Sequence, residues 1–350
     1  MHVPDGFINA PVSAAAGVFA AGALAVSLRG ARRELDERTA PLAGLVAAFI
    51  FAVQMLNFPV AAGTSGHLLG GALAAILVGP YTGVLCVSVV LLMQGILFAD
   101  GGLTALGVNI TDMAITTTIV AYAVFRGLVK VLPRRRRSVT VASFVAALLS
   151  VPAAAVVFTL IYTAGGTTDV AVSKVATAMV GVHVLIGIGE AVITALTVGA
   201  VVAVRPDLVY GARGLQQRLK LRVNGELVDA ATAAPVAARS SHRKVWITGL
   251  VTSLGLAGFV SFYASASPDG LEKVAKDKGI DTRTKAHTSE DSPLAGYGVK
   301  DVSDARLSGG LAGVIGVGVT VVAGTGVFWA VRRRRTADTS PTSTSVPEGV

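Results

Sequence analysis

The chain has a single cysteine, Cys86, and it lies inside an apolar run. A disulfide framework and a cysteine-built metal site are both excluded. Charge is scarce: Asp, Glu, Lys and Arg make up 15% of the 350 residues, against about 25% in soluble domains. No Lys or Arg precedes Arg29, so the basic segment that opens a secretory signal is missing. Missing as well are G-x-x-x-x-G-K-[ST], which would cradle a nucleotide phosphate, and H-E-x-x-H, which would hold a catalytic zinc. ATP hydrolysis must therefore come from elsewhere, and a zinc protease is not indicated. No repeat of fixed period runs along the chain.

What is present is hydrophobicity. Apolar residues make up 53% of the chain and the mean hydropathy is +0.67. This is an integral membrane protein, read as an all-α polytopic bundle. Crossing about 30 Å of hydrocarbon takes roughly 20 residues. Nine stretches qualify, at about 11–28, 41–60, 62–79, 81–99, 104–126, 139–163, 175–204, 243–264 and 307–331. The third and fourth are short, and only the turn signal Gly79-Pro80-Tyr81 separates them.

The net charge of +9 is tested first against orientation. With the N-terminus outside, 22 of the 30 Lys and Arg fall on the inner side, including Arg134–Arg137 and Arg332–Arg335. Lys174 and seven in the 265–306 loop lie outside, the latter among eight acids. Such asymmetry predicts an extracytoplasmic N-terminus and a cytoplasmic C-terminus in the cell membrane. It also accounts for the basic charge without nucleic acid. Composition divides the chain into a membrane domain at 1–205, a basic cytoplasmic linker at 206–242, a two-span module with an outer loop at 243–335, and a Thr-, Ser- and Pro-rich disordered tail at 336–350.

The opening Met1-His2-Val3-Pro4-Asp5-Gly6 is a potential chelator. His2 is too bulky for routine removal of the initiator Met, so a free amine at Met1 is expected. Amine and His2 amide nitrogen close a five-membered ring on a metal; amide nitrogen and imidazole Nδ1 close a six-membered one. Three nitrogens near one plane suit Ni(II) and Cu(II). The plain alternative is a chance histidine on a frayed end.

Met55-Leu56-Asn57-Phe58-Pro59-Val60 and Gly63-Thr64-Ser65-Gly66-His67-Leu68-Leu69-Gly70-Gly71 form the densest internal cluster. Asn57, Ser65 and His67 are polar groups at or near membrane depth, where each needs a partner. His67 is either hydrogen-bonded between helices or a metal ligand. It shares the outer face with the N-terminus, as a four-nitrogen site would require. Asp5 either supports that site or caps the first helix. Asp100 and Asn109, around the turn after the fourth span, likewise support the site or cap. His183 and Glu190 are seven apart on one helix face, as an interhelical polar pair or in a direct role.

These blocks, in this order, resemble the M subunit of cobalt and nickel energy-coupling-factor importers, the CbiM/NikM type. The resemblance rests on Met1-His2-Val3-Pro4-Asp5-Gly6-Phe7, Asn57 to Gly71, Asp100-Gly101-Gly102-Leu103-Thr104 with Gly107 and Asn109, and His183 to Glu190. It covers about residues 1–205. Ser267-Pro268-Asp269-Gly270-Leu271-Glu272 resembles the small N component marked by a PDGLE motif, here fused in the same chain. The resemblance implies a non-enzymatic capture subunit that takes Ni²⁺ or Co²⁺ as transported substrate, not as cofactor. The ion would be held by the Met1 amine, His2 and His67. The resemblance also implies a transmembrane coupling protein and cytoplasmic ATPase subunits as partners. A neutral residue is implied near Asp112, so the acid there would alter the site's charge if it faced the ion. Ala16, Gly17, Ala20 and Ala21 on the first span form a small-residue face suited to docking the coupling protein.

Two other readings compete. Gly63-Thr64-Ser65-Gly66 matches the G-x-S-G of rhomboid-type intramembrane serine proteases, with His183 as base. That pattern is short and leaves Met1-His2 and the PDGLE string without a role. A channel or lone secondary carrier would show paired inverted halves with broken helices, and none is visible. Substitution separates the first two readings. Ser65→Ala should abolish a protease and leave metal uptake measurable, whereas His2→Ala should abolish uptake and spare a protease.

Overall fold

Pro59 and four glycines decide where the second apolar stretch stops and how the third folds. Residues 1–35, 39–61, 63–215, 220–223, 226–229 and 242–338 are described by a computed structural model of the chain. Helix α1 spans Ala10–Glu34 and α2 spans Thr39–Gln54. A hairpin follows, β1 (Phe58–Ala61) with β2 (Thr64–Gly66), then a short α3 at Gly71–Val78 and α4 at Pro80–Leu97. Next come α5 (Leu106–Val131), α6 (Arg136–Gly165) and α7 (Val172–Val204). A second hairpin, β3 (Lys220–Val223) with β4 (Glu226–Asp229), leads to α8 (His242–Gly258), α9 (Gly270–Lys278) and α10 (Ala305–Asp338).

Among the described residues seven helices are long and apolar enough to cross a membrane: α1, α4, α5, α6, α7, α8 with its following turn to Tyr263, and α10. The helix α2 is apolar but shorter, at 16 residues. The expected third span at 62–79 is not one long helix. Its helix has eight residues, a rise of about 12 Å, and the chain before it is a hairpin. The second stretch, expected to reach 60, leaves the helix after Gln54, because Pro59 cannot donate to a helical ladder. Gly63 (φ +73°) and Gly70 (φ +92°) then take left-handed backbone that non-glycine residues resist. Hydropathy alone does not register such breaks.

The linker expected at 206–242 contains the turns Pro206–Leu208 and Tyr210–Leu215 and the β3–β4 hairpin. Its remainder, at 216–219, 224–225 and 230–241, lies outside the described residues. The expected tail begins inside α10, which runs to Asp338, and 339–350 lie outside the described residues.

Local chemistry sets the helix ends. Asn9 caps α1 by accepting from Val12 N at 3.0 Å, with Pro11 in the first turn and Arg32 and Arg33 in the last. Glu34 reaches back to the start of α4, accepting from Thr82 N at 2.7 Å and Thr82 Oγ1 at 2.8 Å. Glu190, buried on α7, accepts from Leu69 N at 2.6 Å and Gly70 N at 3.1 Å, and so caps α3. Helices α6 and α7 pack along their lengths, and α2 packs against both α8 and α10. The small face of α1 is used within the chain: Ala16 and Gly17 lie against Gly107 of α5, and Ala20 is buried. Among these residues only Ala21 stays exposed, so the face expected to dock a coupling protein already seats α5.

The two-span module joins the rest through missing side chains. A Cβ on Gly44 would lie 2.8 Å from Thr325 N, one on Gly324 would lie 3.2 Å from Gly44 Cα, and one on Gly249 would lie 2.7 Å from Leu45 Cδ2. Gly316 likewise makes room for Phe51 and Phe98. Close approach of this kind replaces the hydrophobic effect as the adhesive between helices in lipid. Gly44→Leu should therefore cost about 1–3 kcal/mol by overpacking and lower the midpoint of thermal unfolding in detergent. An unchanged midpoint would show that α2 and α10 do not meet through this face.

Candidate metal centre

Nine residues without regular structure precede α1, and they are threaded into the molecule. Met1, Val3 and Phe7 are 2%, 0% and 2% exposed, so the terminus is buried and not frayed. Asn109 holds Val3 from both sides: Val3 N donates to Oδ1 at 2.7 Å and Nδ2 donates to Val3 O at 3.1 Å. Gly102 N donates to Val3 O at 2.9 Å. Asp5 accepts from Thr104 N at 2.8 Å and from the Thr104 hydroxyl. Asp5 O accepts from Lys285 N at 2.9 Å, and Thr167 Oγ1 donates to Gly6 O at 2.7 Å. Gly101 and Gly102 are required here, because a Cβ on Gly101 would press on Asn109 Nδ2 and the His2 side chain, and one on Gly102 on Asp5.

This threading brings the amine of Met1 to 2.5 Å from His67 Nε2 and 2.8 Å from Asp269 Oδ2. His67 Nδ1 faces its neighbour's carbonyl, Leu68 O, at 3.0 Å, which leaves Nε2 toward the amine. The His2 and His67 rings stack, with centroids 5.1 Å apart and planes at 10°. His2 Nδ1 lies 3.1 Å from Asp100 Oδ1, and His2 Nε2 has no hydrogen-bond partner among the described residues. One donor atom from each of His2, His67 and Asp269 falls within 4.8 Å of the others.

Electrostatics keep the nitrogens available. Burial, then the adjacent Met1 ammonium, lowers His67 below its ordinary value, so its ring is neutral at pH 7. Burial raises the Asp269 carboxyl, but the ammonium and His67 outweigh it and hold Asp269 well below the usual range. Burial likewise raises Asp100, while His2 and the hydroxyl of Tyr297 bring it down to about 2. Tyr297 donates to Asp100 Oδ2 at 2.6 Å and stacks on Phe98. A cavity of about 900 Å³ opens over these groups, lined by His2, His67, Asp100, Asp269, Glu272 and Arg306 among others. Three carboxylates on its wall favour cations.

Of the residues singled out in the sequence, Met1, His2 and His67 converge and Asp100 faces His2. Asn109 and Asp5 pin the arm without touching that centre. Asn57 contributes its carbonyl, which accepts from Ser265 N at 2.7 Å. Ser65 Oγ donates to Ser267 O at 2.7 Å and its N to Pro268 O at 2.9 Å. His183 Nδ1 donates to Met179 O at 2.7 Å, and its Nε2 has no hydrogen-bond partner among the described residues. No hydrogen bond joins Ser65 to His183, so the serine–base pair of a protease is not assembled. Asp112 is buried in a π-helical stretch of α5, Ile110–Thr116, with neither oxygen hydrogen-bonded among the described residues. It is not one of the three residues whose donor atoms gather. Sequence reasoning missed Asp269 and Tyr297 at the site; the PDGLE string was visible, but its aspartate reads as an ordinary turn and cap residue. Asn109→Ala should remove two hydrogen bonds worth together about 1–3 kcal/mol. The arm should open about tenfold to a hundredfold more often, measured as faster amide hydrogen exchange in residues 2–7, with helix content unchanged.

Comparison with known proteins places this geometry in a lineage. Residues 2–208 match the family model described as the cobalt uptake substrate-specific transmembrane region, and residues 243–333 match the PDGLE domain. A putative fused nickel transport protein NikMN of Archaeoglobus fulgidus is 40% identical over 210 residues, covering 60% of this chain and 68% of its own. A putative metal transport protein of Haloquadratum walsbyi is 38% identical over 210 residues, covering 60% of this chain and 94% of its own. The crystal structure of a truncated transition metal transporter superposes with a TM-score of 0.51 at 27% identity, covering 58% of this chain and 99% of that one. These matches share a role as transport proteins, a non-enzymatic one, and the multi-pass helical bundle agrees with it. The chain belongs to the family of cobalt uptake substrate-specific transmembrane regions, with a PDGLE domain following in the same polypeptide.

Proposed function

We propose that this chain is the substrate-capture component of an energy-coupling-factor importer, and that it binds its ion through four nitrogens. The donors are the Met1 amine, the His2 backbone nitrogen, the His2 imidazole Nδ1 and His67 Nε2. The observation that carries this reading is the 2.5 Å separation of the Met1 nitrogen from His67 Nε2. These two buried nitrogens, 66 positions apart in the chain, are in hydrogen-bond contact, and a cation shared between them would take the place of the proton they share.

Closing the His2 chelate exchanges the contact of Nδ1 with Asp100 for the ion. The ion sheds its water shell, and the His2 amide and the amine release protons as it binds. Four nitrogens near one plane disfavour Zn²⁺, which prefers a tetrahedron. They favour Ni²⁺, while relatives are named for nickel and for cobalt alike.

In this reading the N-terminus and the 265–306 loop face outward in the cell membrane and the C-terminus faces the cytoplasm. A transmembrane coupling protein and cytoplasmic ATPases supply the work of release. The test is metal uptake by cells producing the whole complex, with one residue added before Met1. Uptake should be lost, because the added residue moves the amine and puts an amide in its place. Normal uptake from the extended protein would sink the four-nitrogen site.

A further inference from the structure

Asp269 reaches the site from outside the capture domain, in the turn that begins α9. Its two oxygens are divided. Oδ1 accepts from Glu272 N at 2.8 Å and caps the helix. Oδ2 points the other way, 2.8 Å from the Met1 nitrogen and 3.5 Å from His67 Nε2. Two donors each about 2.0–2.1 Å from one ion, at right angles, stand about 2.9 Å apart. Met1 N and Asp269 Oδ2, 2.8 Å apart, have that spacing, and His67 Nε2, at 2.5 Å from the first and 3.5 Å from the second, needs shifts of about half an ångström to share the ion.

The turn is anchored on both sides. Ser65 takes the carbonyls of Ser267 and Pro268. Gly270 lies so close to α7 that a Cβ would stand 2.7 Å from Ile186 Cδ1 and 3.3 Å from His183 Cε1. A carboxylate fixed this firmly is preorganised for one position.

We propose that Asp269 is a fifth donor to the captured ion, an oxygen that the PDGLE domain supplies off the plane of the four nitrogens. This rests on the four-nitrogen reading. Four nitrogen donors in a plane leave Ni²⁺ four-coordinate, and an apical carboxylate oxygen makes it five-coordinate. The carboxylate also ties the position of the turn to occupancy of the site, because one oxygen is on the ion while the other caps α9.

The experiment uses the full chain in detergent, loaded with Ni²⁺, and compares wild type with Asp269→Asn and Asp269→Ala. Asparagine remains a good N-cap, so Asp269→Asn keeps the turn folded, which limited proteolysis checks. The wild-type ion should be five-coordinate by X-ray absorption at the nickel edge. In both variants it should be four-coordinate and leave about tenfold faster or more. The same coordination number in wild type and Asp269→Ala would overturn the proposal. His2→Ala, run alongside, keeps the two readings apart. Full Ni²⁺ affinity in that variant would remove the four-nitrogen site itself, whereas its loss with no effect at Asp269 would remove the fifth donor alone.

Discussion

A buried ammonium next to a neutral imidazole is the contact on which the rest of this structure depends. Chain ends are ordinarily solvated and mobile. Here the Met1 nitrogen is 2.5 Å from His67 Nε2 and 2.8 Å from Asp269 Oδ2, with no exposed side-chain surface on Met1. Keeping a charge there requires a counter-charge and a full set of hydrogen bonds. It also requires that the residues behind it not pull the terminus away. Both demands propagate: the first recruits Asp269, the second recruits Asn109, Thr104, Thr167 and the backbone of Lys285.

Glycine is how the fold meets the second demand. The arm passes so close to Gly101 and Gly102 that side chains there would occupy the space of His2, Asn109 and Asp5. Gly70, with φ +92°, turns the chain from the His67 strand into α3 and presents its N–H to Glu190. The glycines are thus a consequence of holding an arm inside a bundle. They also explain why a stretch that looks like a span by composition yields only an eight-residue helix.

Much of this was legible in the sequence, for identifiable reasons. Scarce charge and long apolar runs announce a helical membrane protein, and seven long apolar helices are found. Met1, His2 and His67 could be grouped because a histidine at membrane depth is costly, and because counting spans puts it on the N-terminal side. A hairpin and a short helix in place of one long helix at 62–79 do not undo that grouping, since the hairpin returns His67 beside the arm. Positive-φ backbone at Gly63 and Gly70 was not legible, because hydropathy carries no dihedral information. Nor was Asp269: Pro-Asp-Gly before a helix is what a turn and cap require by themselves. A second use for one of its oxygens shows only when residues 268 positions apart are brought together. The small face of α1 was legible as a contact face, but not which helix it meets; Gly107 settles that from within the chain.

The PDGLE domain then has a definite physical meaning in the same polypeptide. Its helices α8 and α10 contact α2 through glycines, which fixes distance more than it adds attraction. Its turn is strapped to Ser65 of the hairpin that carries His67. That turn and the residues leading into His67 are thus hydrogen-bonded to one another. The wall of the cavity above the site comes partly from each domain, with His2, His67 and Asp100 from one and Asp269, Glu272 and Arg306 from the other. Without the second domain the ammonium would keep its histidine neighbour but lose the carboxylate that balances it, which leaves an uncompensated buried charge. The two domains are therefore joined electrostatically at the site as well as sterically at their helices, and the electrostatic joint lies where an ion would sit.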